Sequence, residues 1–264
     1  MLRTLSDETK LWRYMDLSEF LWLIGEKCLY FANPEELSDK WEGAWPATIV
    51  TEVEKSPEFI RLVQEGVKAK YASHVVASMR NNRQGGYAVN CWHRNDVESI
   101  AMWKLYTSGD DGVAIHTTVG RLKASLVQEA RDLFIIEVEY SDHDGQGPIG
   151  SSDALLPLAR KRRSFSHESE VRVILDRGLT VELELAAFVS GTSFGGETIA
   201  AKTATLIEGI VVSPTYPPWA LGSLRSEVQQ KGITVKVETS DLLKLPDPNR
   251  MYRNLRMSAA EEAE

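Results

Sequence analysis

Apolar residues along this 264-residue chain recur in two rhythms. Alternation with a period of two marks half-buried strands, and recurrence every three or four residues marks amphipathic helices. Residues 11–15 predict a short first strand. Asp16 and Glu19 stand at the spacing of a capping box, and a helix through Lys27 follows, with Phe20, Leu21, Leu23 and Ile24 at helical spacing. Residues 28–32 form an apolar strand that Asn33-Pro34 ends. A loop over 33–46 then carries Asp39, Glu42, Trp41 and Trp45. Ser56-Pro57 opens a helix that runs to about Arg80, and the polar, glycine-containing stretch 81–86 breaks it. A strand over 87–92, a short helix over 98–105, a turn over 108–112, a strand over 113–117, a helix over 119–130 and a strand over 133–140 follow. The Gly-, Ser- and Asp-rich stretch 141–153 reads as a loop, and a helical run from Asp153 to Arg163 comes next. Residues 168–176 read as a strand, with 179–185 as its hairpin partner through Asp176-Arg177-Gly178. A strand over 207–213, a helix over 217–231 and a last strand over 233–238 close the pattern.

Strands and helices mix without a regular βαβ rhythm, which predicts an α+β fold. The expected architecture is a single domain over residues 1–244, with a mixed, mostly antiparallel sheet flanked by helices. Residues 245–264 form a polar C-terminal tail, frayed over 258–264. With 43% hydrophobic residues the chain can bury a core without disulfide or metal support. Its two cysteines, Cys28 and Cys91, suggest neither a disulfide framework nor a zinc site. The first residues lack the apolar core of a signal peptide, and no segment is apolar for long enough to span a bilayer. A cytoplasmic protein with no membrane partner is the expectation. The net charge of −8 argues against wholesale wrapping of nucleic acid, which requires phosphate neutralisation. The basic run Arg160-Lys161-Arg162-Arg163 reads as the C-terminus of the preceding helix, where cations favour the macrodipole.

The candidate chemistry centres on Glu168-Ser-Glu-Val-Arg-Val-Ile-Leu-Asp176. On one strand Glu168, Glu170, Arg172 and Ile174 share a face, with the glutamate alpha carbons about 6.5–7 Å apart. Charges on a largely buried face need partners. Two readings follow: a structural ion pair of Glu170 with Arg172, or a site. A carboxylate beneath a sugar can stabilise an oxocarbenium-like transition state. His167 beside them reads as a surface residue. Arg13, flanked by Trp12 and Tyr14, can hold phosphate or carboxylate bidentately, or pair with Glu168 or Glu170. Trp103 and Tyr106 lie three apart on a helix and either stack on a planar ring or pack in the core. Cys91 and His93 share a strand face as a nucleophile-and-base pair, without an orienting third group. Asp39 and Glu42 with the Glu168 pair form an alternative set of carboxylates for a divalent cation, or the two loop acids cap helices or face water.

Several motifs occur in a fixed order: Leu11-Trp-Arg-Tyr14, Leu29-Tyr-Phe-Ala-Asn-Pro34, Leu37-Ser-Asp39 with Glu42-Gly43, Cys91-Trp92, Ser99-Ile-Ala-Met-Trp103 with Tyr106, Gly112-Val-Ala-Ile115, and Phe165 with Glu168-Ser-Glu170-Val-Arg172. This order resembles a bacterial family of unknown function, numbered twenty-nine seventy-one, over roughly residues 11–175. More remotely the chain resembles ADP-ribosyltransferases, which pair an early-strand arginine or histidine with a late Glu-x-Glu. That resemblance implies NAD as the substrate. It implies that Arg13 holds the NAD phosphate or ribose, with Tyr14 beside it. The strand of Cys91 and Trp92 takes the middle position, and Trp103 or Tyr106 stacks on nicotinamide. Glu170 is the implied catalytic acid and Glu168 orients the acceptor. The middle strand reads Val89-Asn-Cys-Trp-His93 and lacks the Ser-Thr-Ser of that superfamily.

The expected function is therefore cleavage of the nicotinamide–ribose bond of NAD. A metal-dependent nuclease built on Asp39, Glu42, Glu168 and Glu170 is one alternative. A non-catalytic nucleotide sensor is another, and the family resemblance places it in an anti-phage or toxin-type system. A nucleotide-type small molecule is the expected ligand.

Overall fold

The computed structural model describes residues 5–37, 39, 42–43, 45, 47–64, 86–126, 129–141, 155–179, 183, 190 and 194–245. The fold is α+β, built on a seven-stranded, mostly antiparallel sheet. Eleven strands are described: β1 (Lys10–Met15), β2 (Cys28–Phe31), β3 (Tyr87–Arg94), β4 (Val113–Thr118), β5 (Leu133–Glu137), β6 (Glu139–Ser141), β7 (Arg160–Arg162), β8 (Glu170–Asp176), β9 (Glu197–Ala200), β10 (Gly209–Val212) and β11 (Val237–Thr239). The main sheet runs β11-β10-β4-β1-β3-β8-β5, and its one parallel pair is β10 with β11. The helices are α1 (Leu17–Glu26), α2 (Ala47–Lys55), α3 (Pro57–Gln64), α4 (Ile100–Tyr106), α5 (Val119–Ser125), α6 (Thr203–Leu206) and α7 (Leu221–Gln230). Among the described residues no helix is long and apolar enough to cross a membrane.

Helix α1 shows how the local signals work. The Glu19 carboxylate accepts the Asp16 N–H at 3.1 Å, which satisfies one of the donors a helix start leaves open. Phe20, Leu23 and Ile24 form the buried stripe, and Lys27 ends the helix in the left-handed region at φ 54°.

The two sheet faces bury different things. One face presents Leu11, Met15, Ala88, Trp92, Val113, Ile115, Val171, Val173 and Leu175 to the main core, where the α1 stripe, Leu122 of α5 and Leu224 and Val228 of α7 meet them. The other face carries two smaller clusters. Val89, Ile136 and Ile174 pack on Leu155, Leu158 and Ala159. Trp12, Tyr14 and Ala114 pack on Met102 and Trp103 of α4.

The register of β1 creates the opening that matters for function. Strand β1 pairs with β4 along its whole length, from Lys10↔Thr118 to Met15↔Val113. It pairs with β3 only at Leu11↔Arg94 and Trp12↔His93. Beyond that point the two strands part, while β3 stays paired with β8 from Tyr87↔Asp176 to His93↔Glu170. Val89 of β3 instead exchanges two 2.8 Å backbone bonds with Ala32, just past β2.

Three expectations change. Strand β8 begins at Glu170, because Glu168 ends a 3-10 turn over Arg163–Glu168 and Ser169 takes a left-handed φ of 40°. The two glutamates therefore do not share one strand face. Both edges of β8 are occupied, by β3 and β5, so no hairpin partner follows it. Of the expected partner over 179–185, most lies outside the described residues. The run into Arg163 is not a helix: Leu156–Ala159 is a 3-10 turn containing Pro157, and Arg160–Arg162 is strand β7, paired in parallel with β6. Proline lacks the N–H a helix interior needs. Arg160 and Lys161 are buried, and Lys161 meets carboxylates rather than a helix end.

Candidate functional site

Where β1 and β3 part, a cleft of about 920 Å³ passes through the sheet. Arg13, Asn90 and Trp92 line it from the main-core side, and Tyr14, Cys91, His93 and Glu170 from the other. Trp22 and Leu23 of α1, Leu105 and Tyr106 of α4, Tyr30, Glu42 and Glu168 also line it, together with the carboxylates Asp16, Glu19 and Glu36.

Arg13 sits in the gap. Its Nη1 donates to the Cys91 carbonyl at 2.9 Å, a group the parting of the strands leaves without a β1 partner. Its guanidinium carbon lies 5.9 Å from the Trp92 ring centre. Among the described residues no carboxylate pairs with Arg13. Burial pulls its pKa down, opposed by the surrounding negative groups, but a guanidinium keeps its charge in proteins. The wall behind it is braced: Trp92 Nε1 donates to Asn90 Oδ1 at 2.6 Å, and Asn90 Nδ2 donates to the Tyr30 carbonyl at 2.8 Å.

The other end of the cleft is a buried charge cluster. Lys161 Nζ lies 2.5 Å from Glu168 Oε2, 3.1 Å from Glu42 Oε1 and 3.4 Å from Glu170 Oε2. Arg172 forks onto Glu170, with Nε at 2.7 Å and Nη2 at 3.0 Å, and Nη2 also donates to Glu42. Its Nη1 donates to the Leu158 carbonyl at 2.9 Å. Burial works to raise the pKa of Glu170, but Arg172 and Lys161 outweigh it and hold the carboxyl at about 2. Burial works against the Lys161 charge, but the three carboxylates raise its pKa above the ordinary lysine value. Among the described residues three carboxylates face two cations, an excess of one formal negative charge. Asp39 stands apart, held by both prongs of Arg162 at 2.8 and 3.0 Å.

The predicted site residues thus divide. Arg13, Tyr14, Cys91, Trp92, Tyr106, Glu168 and Glu170 share the one cleft. Arg13 does not pair with Glu170, since the two approach from opposite faces of the sheet. Trp103 is not on the cleft wall: it is buried, donates from Nε1 to Glu98 at 3.0 Å and sits edge-on to Tyr14 at 5.0 Å. Cys91 is a thiol rather than a nucleophilic thiolate, because burial and the nearby Glu170 push its pKa well up. The metal-nuclease carboxylates are occupied by Lys161, Arg172 and Arg162. Among the described residues no group of three or more His, Cys, Asp or Glu is arranged to hold an ion.

No family model, curated protein or solved structure matches this chain.

Two residues of the cleft region stand out only in three dimensions. Lys161 is hidden in the sequence inside a basic run, and Pro157 was the signal that the run does not continue a helix. His93 stands out in the sequence only as a companion to Cys91. In the structure its Nδ1 lies 2.6 Å from the Glu168 backbone carbonyl, while Nε2 is buried without a hydrogen-bond partner among the described residues.

Proposed function

We propose that the protein binds NAD in this cleft and cleaves the nicotinamide–ribose bond, in the manner of the ADP-ribosyltransferases its motif order resembles. The polarity of the cleft carries the reading. NAD has an anionic pyrophosphate and a cationic pyridinium, and cleavage leaves an oxocarbenium-like sugar. Arg13, without a carboxylate partner among the described residues, suits the phosphates. The cluster of Glu42, Glu168 and Glu170, one negative charge in excess, suits the cation. Trp22, Tyr30 and Tyr106 offer aromatic surface to the rings. The volume of about 920 Å³ lies near the top of the range of roughly 300–1,000 Å³ for small-molecule pockets. In this reading Glu170, both oxygens engaged, supplies fixed negative charge. Glu168 Oε1, which has no partner among the described residues, takes a hydroxyl. The acceptor is a macromolecule, a small molecule or water.

A second reading has one observation in its favour. Glu170 is fully satisfied by Arg172 and Lys161, as in a structural ion pair. That suits a sensor that binds a nucleotide without turning it over. Calorimetric titration with NAD and chromatographic detection of released nicotinamide separate the two. Binding with release supports the enzyme, and binding without release supports the sensor. An absence of binding up to millimolar NAD refutes both.

A further inference from the structure

Trp92 of β3 borders the cleft, yet it is 2% exposed, so its indole touches protein rather than a ligand. The ring is locked in place. Its Nε1 donates to Asn90 Oδ1 at 2.6 Å, and Asn90 Nδ2 donates to the Tyr30 carbonyl of β2 at 2.8 Å. Indole has a single donor, and a rotated ring would bury it unsatisfied. Arg13 of β1 lies over this ring, its guanidinium carbon 5.9 Å from the ring centre and within the roughly 6 Å reach of a cation–π contact. Its Nη1 donates to the carbonyl of the neighbouring Cys91 at 2.9 Å. Consecutive residues of β3 therefore hold the guanidinium, one by a hydrogen bond and one by its ring. Among the described residues Nε and Nη2 of Arg13 have no hydrogen-bond partner, and neither is sealed from solvent. Arg13 itself lines the cleft, so this part of the fork is left for a ligand.

Resting on the reading of the cleft as an NAD site with Arg13 on the phosphates, we propose that Trp92 is a positioning residue. Its ring orders the Arg13 guanidinium before the ligand arrives, and it contributes to affinity through Arg13 alone. Asn90 is the anchor that keeps the ring in register. The strand pairing explains why such a device is needed. At Arg13, β1 has already parted from β3, so the ladder between them does not set where the side chain points. Strand β3 is a firm base, because it stays paired with β8 from Tyr87↔Asp176 to His93↔Glu170. An arginine side chain gives up rotamer freedom when a ligand orders it, and a guanidinium ordered beforehand spares the ligand that cost.

A double-mutant cycle separates this role from core packing. Trp92→Leu removes the aromatic face, Arg13→Met removes the guanidinium, and calorimetric titration with NAD compares the two single variants, the double variant and wild type. Trp92→Leu is expected to weaken NAD binding about 10-fold when Arg13 is present, the scale of ordering one long side chain. In the Arg13→Met background the same change is expected to cost less than about twofold, within the additivity error of such cycles. A tryptophan that only packs the core costs the same factor in both backgrounds. That outcome, or wild-type affinity in Trp92→Leu, overturns the role of Trp92 and leaves the NAD reading standing. A wild type that does not bind NAD overturns the parent reading, and this proposal with it. Should a variant fail to fold or to bind measurably, nitrogen-15 and proton NMR of the Arg13 side chain in wild type decides. The expected result in the free protein is Arg13 guanidinium protons shifted upfield by the ring current of Trp92, and a further shift on addition of NAD. Unshifted protons in the free protein overturn the positioning role. No change at saturating NAD overturns the placement of Arg13 on the phosphates, on which that role rests.

Discussion

Replacing Lys161 by methionine tests the buried cluster most directly. Lys161 is 4% exposed and touches Glu168, Glu42 and Glu170 at 2.5, 3.1 and 3.4 Å. Methionine keeps much of the chain's apolar length and removes only the charge. Arg172 would still hold Glu42 and Glu170, Glu168 would lose its partner, and the formal excess among the described residues would rise from one negative charge to two. Removing one partner of a buried pair destabilises by about 3–5 kcal/mol, because the stranded charge cannot return to water. The depression of Glu170 from 4.5 to about 2 gives an independent scale, since it corresponds to roughly 3 kcal/mol at neutral pH. Its sign follows from linkage. That stabilisation is fully present above 4.5 and is lost as pH falls through about 2. The Lys161 contribution is present below 10.5 and lost only at higher pH. Urea denaturation of wild type and Lys161→Met at pH 7 is therefore expected to differ by at least about 3 kcal/mol, with the gap narrowing as pH falls below 4.5 and the Glu170 contribution is lost. A difference below about 1 kcal/mol at pH 7 would refute the reasoning, since it is the value of an exposed pair.

Arg13→Met is expected to weaken NAD binding about 10- to 100-fold, the worth of a charged hydrogen bond of roughly 1.5–3 kcal/mol, with little change in melting temperature; calorimetric titration checks it. Ser169→Gly is expected to raise the urea midpoint, stabilising by about 0.5–1 kcal/mol, because Ser169 sits at φ 40° where an L side chain is strained. Phe20→Ala should lose about 3–5 kcal/mol from the main core, read by the same denaturation curves. Cys91 is expected to alkylate far more slowly than free cysteine at pH 8, since burial and Glu170 keep it protonated; mass spectrometry of iodoacetamide-treated native protein measures this.

The periodicities alone contain most of the element list. Short apolar runs at Leu11–Met15 and Val113–Thr117 and helical spacing at Phe20–Ile24 are short-range signals that burial reinforces, so strands β1 and β4 and helix α1 fall where the pattern puts them. Short-range signals mislead where a local rule has two outcomes. The cations of Arg160–Arg163 suit a helix end as well as a carboxylate cluster, and Glu168 alternates with Glu170 on paper although Ser169 turns the chain between them. Strand β9 carries too little apolar pattern over Glu197–Ala200 to stand out, and forms because β2 offers it an edge.

By itself, then, the amino-acid sequence determines an α+β chain with an arginine in its first strand and a charged late strand, because backbone periodicity and side-chain polarity are local properties. Whether those charges meet is not local. Only the tertiary structure decides that β1 and β3 part after Trp12 and His93, that Arg13 faces the resulting cleft without a carboxylate partner among the described residues, and that Lys161 and Arg172 gather Glu42, Glu168 and Glu170 at its other end. Glu42 and Arg172 meet across a separation of 130 residues. The buried charges tolerate that position only because each has found a partner.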